Sequence, residues 1–329
     1  MSEEQDSEYP LEMRPHTALW SENFALVFTD PVSRVSTMYS VGTWYHDTSV
    51  WRENLAVALP NGRLLASRNF GRNTAGATVS ASLSRYEIIE VEKKVRLSYS
   101  GPTWSYTFED LLRYGANAGK TERLELDVFF EATAPMWDMH SGDAADPTGL
   151  AGTLHTEQLG RCNGTLHLDD FEISIRDAYS CRDHSRGTRD VTNYRNHCWI
   201  NGSFSGTRAF QLYTFKMHHI KGTALTLATV VHDRVHFPAT IERIEYVNHP
   251  EEFGLLHTFL LRSALGDMNI AITEVLATIP ESMTSPYNDI IGIVRDPHAL
   301  LFEEPVRMEW NGETGFGWCE RGYMREPSL

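Results

Sequence analysis

The strongest constraint on this chain is a two-residue hydrophobic period that recurs along its length. Val95, Leu97 and Tyr99 interleave with Lys94, Arg96 and Ser98, and Leu124, Leu126, Val128 and Phe130 interleave with Arg123, Glu125 and Asp127. Successive side chains of a strand point to opposite faces, so this is the pattern of half-buried antiparallel strands. The alternation returns at Phe171, Ile173 and Ile175. It returns again at Val306, Met308 and Trp310, where Asn311-Gly312 turns the chain back toward Phe316 and Trp318 as a hairpin. Leu55, Val57 and Leu59 run into Pro60-Asn61-Gly62, another turn. Helical spacing is scarce: a short helix is predicted from about Thr107 to Ala116 with Leu111 and Leu112 inward, and others are expected after Pro250 and Pro297. Many strands at short spacing with few helices predict an all-β protein of sandwiches or barrels, not a parallel α/β sheet.

A chain of 329 residues, 41% of them hydrophobic, can bury two ordinary cores. Pro135, Gly142, Asp143, Asp146, Pro147 and Gly149 interrupt the strand pattern, which places the expected boundary between a first domain at 1–148 and a second at 149–329. The formal charge of −15 opposes binding to nucleic acid or anionic lipid. No stretch of 18 apolar residues occurs, so membrane insertion is not expected. Met1 to Pro10 lacks the basic start and apolar run of a secretion signal, and a cytoplasmic protein is expected. Cys162, Cys181, Cys198 and Cys319 form no CxxC pair and read as buried thiols. A homodimer and a monomer are both compatible with the sequence.

Several common chemistries can be set aside. Gly119-Lys120-Thr121 resembles the end of a phosphate loop, but Tyr114 holds the required earlier glycine position, and neither GxGxxG nor GxSxG occurs. Among fourteen histidines, His218/His219 and His232/His236 are the nearest pairs. Four strand steps separate the latter by roughly 13 Å, and adjacent strand residues face opposite ways, so neither pair makes a metal site.

The densest polar segment is Arg182-Asp183-His184-Ser185-Arg186-Gly187-Thr188-Arg189-Asp190, which precedes Tyr194, His197 and Trp199. One reading is a carboxylate and an imidazole entering a closed cavity, where proton exchange at neutral pH is the expected chemistry. The other is a structural network in which Arg182, Arg186 and Arg189 clamp Asp183 and Asp190. Upstream, His155-Thr156-Glu157-Gln158-Leu159-Gly160 offers His155 or Glu157 as the complementary acid or base, or else a solvated strand start. Trp20-Ser21-Glu22-Asn23 and Trp44-Tyr45-His46-Asp47 combine aromatic and ionisable residues: they would either line a ligand cavity, with Tyr45, His46 or Asp47 orienting a hydroxyl, or be core tryptophans with polar neighbours.

The order His155-x-Glu157-Gln158-x-Gly160, Gly164-Thr165-Leu166, Arg182-Asp183-His184-Ser185-x-Gly187-x-Arg189, then Gly315-Phe316-Gly317 and Glu320, resembles a bacterial branch of a known superfamily. It is the lipocalin-like group that contains carotenoid 1,2-hydratase, kievitone hydratase and tocopherol cyclase. Trp20-Ser21-Glu22 and Leu59-Pro60-Asn61-Gly62-Arg63 extend the resemblance into the first domain. It implies two lipocalin-like antiparallel β-barrels and proton-transfer chemistry on hydrophobic substrates without metal or organic cofactor. It also implies a buried carboxylic acid as proton donor, a role that falls on Asp183. Where the branch usually has tryptophan after Asp-His-Ser, this chain has Arg186, which implies a more polar or anionic substrate group.

The expected function is therefore a lyase-type enzyme, a hydratase, dehydratase, carbon–carbon lyase or isomerase, acting on a hydrophobic terpenoid, prenylated or aromatic alcohol or alkene. Asp183, His184, Glu157 and Tyr45 are the candidate catalytic residues; Arg186, Arg182, His155, Trp199, Trp44 and His46 are the candidate substrate contacts. The alternatives are a non-catalytic carrier of a hydrophobic small molecule, with its Arg and Asp groups paired outside the cavity, and an assembly protein with an exposed aromatic patch.

Overall fold

The computed structural model describes residues 8–324, apart from 13, 16, 18, 45–46, 74–75, 108, 111–118, 141–150, 170, 189–193, 205–207 and 283–298. These residues fall into two compact units.

The first unit contains β1 (Trp20–Asp30), β2 (Val35–Trp44), β3 (Asp47–Ala58), β4 (Arg63–Gly71), β5 (Thr78–Val79), β6 (Ser84–Glu90), β7 (Lys94–Thr107), β8 (Lys120–Ala132), β9 (Trp137–Asp138), β10 (Leu154–Leu168) and β11 (Phe171–Thr188). Pairing runs β4-β3-β2-β1-β11-β10-β8-β7, and a β4–β7 ladder closes these eight strands into an antiparallel barrel. The interior follows from the alternation: Leu124, Leu126, Val128 and Phe130 of β8 are at most 2% exposed and pack with Phe24, Leu26, Phe28, Tyr39 and Trp51 in one core. Burial of each such side chain contributes about 1.5–3 kcal/mol. Pro60-Asn61-Gly62 makes the expected turn between β3 and β4, with Gly62 at φ +78° and its N–H donating to the Leu59 carbonyl at 3.0 Å.

The second unit contains β12 (Tyr194–Phe204), β13 (Arg208–Met217), β14 (Leu225–His232), β15 (Val235–Arg243), β16 (Thr258–Ser263), β17 (Gly266–Val275), β18 (Ile279–Ser282), β19 (Ala299–Trp310) and β20 (Glu313–Met324). Its order is β17-β16-β15-β14-β13-β12-β20-β19, and a β17–β19 ladder closes the ring. Cys198, Ile200, Phe210, Leu212, Phe259, Met268, Val306 and Met308 fill this interior. The β19–β20 hairpin turns at Asn311-Gly312, both residues at positive φ, with Trp310 opposite Glu313.

The boundary differs from the expected one. β10 and β11 hydrogen-bond to β8 and β1 and complete the first barrel, so Ala151–Arg189 groups with Met1–Asp138 in the first unit, and Met139–Leu150 groups with Asp190–Leu329 in the second. The Pro/Gly/Asp composition at 134–152 interrupts the sequence alternation, but strand pairing decides which barrel the next two strands join.

Of the expected helices, only Thr107, Glu109 and Asp110 of the first are described. There Thr107 and Asp110 exchange side-chain and backbone hydrogen bonds, with the Asp110 N–H donating to Thr107 Oγ1 at 3.1 Å. After Pro250 a single 3-10 turn, Pro250–Glu252, forms, and the helix expected after Pro297 lies outside the described residues. Among the described residues no helix is long and apolar enough to cross a membrane. All four cysteines are buried free thiols, as expected.

Candidate functional site

The polar segment of β11 lies between β1 and β10, and register decides where each side chain goes. Ala25, Asp183 and Glu157 are directly opposite one another across the three strands, and Trp137 of β9 pairs with Glu157 at the end of this row. The neighbouring row is Asn23, Ser185 and His155. Paired residues share a face, and core residues such as Phe24 and Leu26 occupy the other parity, so both rows face out of the barrel.

On that outward face His155 Nε2 lies 2.5 Å from Asp183 Oδ2 and 3.9 Å from Glu157 Oε1. Two carboxylates directly opposite on neighbouring strands repel when both are charged, and an imidazole between them offsets the repulsion. Glu157 is 1% exposed and the His155 side chain 6%, whereas that of Asp183 is 14% exposed, so Asp183 is the most accessible of the three. The Cys181 thiol one row further along is held well above its ordinary range, by burial first and then by the charges of Glu157 and Asp183.

One nitrogen and two carboxylate oxygens from His155, Glu157 and Asp183 lie within 4.8 Å of one another, so the set could also hold a divalent cation. The histidine spacing in the sequence does not signal this set, because the second carboxylate comes from another strand.

His184 and Arg186 do not join Asp183. The one-residue offset sends them to the barrel interior, where His184 Nε2 lies 3.1 Å from Glu22 Oε1 and the imidazole stacks on Phe24 at 3.9 Å. Arg186 Nη1 lies 3.5 Å from the same Glu22 oxygen. Arg182, also interior, pairs with Glu8 and donates to Gln158. Two expectations change with this. Asp183 faces outward and does not enter the barrel, and its ion-pair partner is His155, not the Arg182 or Arg186 of the expected clamp; Arg189 and Asp190 lie outside the described residues. Arg186, where an indole was expected, balances the charge of fully buried Glu22 on the opposite face from Asp183.

Of the remaining candidates, Trp44 ends β2 and meets Phe70 edge to face at 6.1 Å. Tyr45 and His46 lie outside the described residues. Trp199 belongs to the second barrel, where it pairs in register with Glu320 of β20, itself opposite Glu303 of β19. There His197 Nδ1 lies 3.0 Å from Glu320 Oε1, and Trp318 Nε1 donates to Glu303. Burial raises the Glu303 carboxyl above its ordinary range, against the opposing hydrogen bonds from Glu320 and Trp318. Sequence reasoning missed Glu303, although its spacing from Val306 and Met308 already put it on the face opposite the core.

A family model described as a domain of unknown function (DUF7064) matches residues 4–323. No curated protein matches the sequence. Among solved structures, a Nitrosomonas europaea protein provisionally assigned as AttH is 11% identical, with 92% of each chain covered and a TM-score of 0.58. CghA bound to Sch210972 is 9% identical over 94% of this chain and 90% of that one, with a TM-score of 0.57. Kievitone hydratase from Nectria haematococca is 13% identical over 94% and 90%, with a TM-score of 0.52. At these identities the likeness is one of fold, and it agrees with the two lipocalin-like barrels the motifs implied.

Proposed function

This chain belongs to the DUF7064 family, and from that premise we propose that it is a lyase-type enzyme whose proton-transfer unit is His155–Asp183, with Glu157 as the second carboxylate in reach. The observation that carries the reading is the 2.5 Å contact between His155 Nε2 and Asp183 Oδ2 on the same sheet face as Glu157. An imidazole N–H at that distance donates to the carboxylate, and the partner open to substrate is the one that can exchange a proton with it. Asp183 is that partner, because it is the more exposed of the two.

The reaction class is hydration or dehydration, or a related carbon–carbon lyase or isomerase step, on a hydrophobic terpenoid, prenylated or aromatic alcohol or alkene. In the dehydrating direction the dyad protonates the leaving hydroxyl while a carboxylate takes the proton from the adjacent carbon. The C–O and C–H bonds break, a C=C bond forms and water departs; hydration is the reverse. We assign the second role to Glu157 because it shares a sheet face with Asp183; it is buried, with Trp137 paired to it in register, so substrate reaches it only by way of Asp183. A fold shared with kievitone hydratase and with CghA supports this class. General acid–base help contributes about 10²–10⁴-fold, and placement of the substrate supplies the remainder.

The test is a panel of terpenoid, prenylated and lignin-derived alcohols and alkenes incubated with purified protein, with mass spectrometry for gain or loss of water or for carbon–carbon cleavage. Turnover that vanishes in Asp183→Asn supports the proposal. If no member turns over while Asp183→Asn still binds one tightly, the carrier function replaces it.

A further inference from the structure

The interior face of the first barrel carries a second polar centre that the proton-transfer unit does not use. Arg182 donates through Nε and Nη2 to Gln158 Oε1 at 2.8 and 2.7 Å, hydrogen-bonds Tyr86, and lies 5.5 Å above the Phe130 ring. Gln158 is fixed in turn, its amide donating to the carbonyls of Glu92 and Ala134 at 2.7 and 3.0 Å. The guanidinium is therefore held in place by the barrel itself. The carboxylate that neutralises it comes from elsewhere: Glu8 Oε1 lies 2.5 Å from Arg182 Nη2, and Glu8 Oε2 accepts from the Glu92 N–H at 2.8 Å. Arg182 is 5% exposed and Glu8 4%.

Glu8 precedes every strand. Its segment is tied to the barrel by the Leu11 N–H, 3.0 and 3.3 Å from the two Glu22 oxygens, and by Arg14, whose guanidinium lies 4.9 Å above the Trp51 ring. A guanidinium and a backbone N–H, both oriented by other groups and walled by Phe130, Tyr86 and Leu26, make up the recognition chemistry for a carboxylate on an apolar body. Although Tyr9 packs against the barrel core, a segment outside the strand ladders opens at less cost than the barrel does. Once Glu8 leaves, the buried Arg182 charge is uncompensated and favours any carboxylate that can reach it.

We propose that the Arg182 pocket is a binding site for apolar monocarboxylates, which Glu8 occupies as an internal ligand. The proposal is independent of the chemistry at Asp183, which faces the other side of β11.

The test compares the full chain with Glu8→Ala, using hexanoate and hexan-1-ol as probes in thermal melts and titration calorimetry. Hexanoate should raise the melting temperature of Glu8→Ala by several degrees, shift the unmodified protein less, and bind the variant at least about tenfold more tightly than the alcohol. Adding Arg182→Gln should remove the preference. Equal binding of acid and alcohol, or a preference that survives Arg182→Gln, overturns the site. If Glu8→Ala is recovered unfolded, refolding is the readout: rescue by hexanoate but not hexanol supports the proposal, and rescue by neither or both contradicts it.

Discussion

Asp183 and His184 are consecutive in the chain yet act on opposite faces of β11, Asp183 reaching His155 at 2.5 Å outside the barrel and His184 reaching Glu22 at 3.1 Å inside it. Substitutions at the two positions should therefore separate cleanly. His184→Gln removes the Glu22 contact and the Phe24 stack and should cost about 1–3 kcal/mol of stability while leaving kcat/KM for any substrate within a small factor of the unmodified protein. Denaturant unfolding together with steady-state kinetics checks this. A large loss of activity in a fully folded His184→Gln protein would contradict the division of roles.

Glu22 is the hub of that interior network, with no exposed side-chain surface and with His184, Arg186 and the Leu11 N–H all directed at its carboxylate. Glu22→Ala leaves Arg186 in the barrel without its counter-charge, and the expected loss is ~3–5 kcal/mol. Chemical denaturation measures it. A change below about 0.5 kcal/mol, as for a surface site, would show that the network does not contribute to stability.

His257 in the second barrel carries a pH dependence. Burial first, and then the nearby Arg321 guanidinium, lower its pKa from 6.5 to about 4. Because the folded pKa is depressed, the unfolded chain binds more protons between these values, so stability falls as pH drops from 6.5 toward 4 and the effect is complete below that. The difference corresponds to roughly 3 kcal/mol. Comparing unfolding free energies of the unmodified protein and His257→Gln across this window isolates the contribution: the variant should lose less stability on acidification, and parallel curves would refute it.

The proton-transfer account needs no cation at His155, Glu157 and Asp183, although their ligand atoms lie within 4.8 Å of one another. Dialysis against EDTA should leave turnover unchanged. Activity that disappears on chelation and returns with zinc or magnesium would make the same three residues a Lewis-acid centre instead.

What the sequence conveyed, and what it did not, divides along lines of locality. The alternation of Leu124, Leu126, Val128 and Phe130 predicted β8 and its buried face, and Asn311-Gly312 predicted the β19–β20 turn, because both signals are carried by neighbouring residues. His155 and Glu157, two apart, could be placed on one face. That Asp183 joins them depends on the register of β10 against β11, which no local pattern records. Grouping Asp183 with His184 and Arg186 ignored the strand parity that separates them. Trp137 lies on a two-residue strand too short to show a period, and the acidic, polar stretch containing Glu8 reads as a tail, though Glu8 is buried against Arg182. The division at 148/149 followed composition, whereas the barrel closes through strands that come later in the chain.

Proton transfer at Asp183 is tested by comparing kcat/KM for Asp183→Asn and the unmodified protein on one substrate from the panel, with circular dichroism confirming equal folding. Asparagine keeps the shape of aspartate and removes its ability to exchange a proton. A loss of about 10²–10⁴-fold is expected in the folded variant. An Asp183→Asn protein that turns over substrate at the unmodified rate would contradict it.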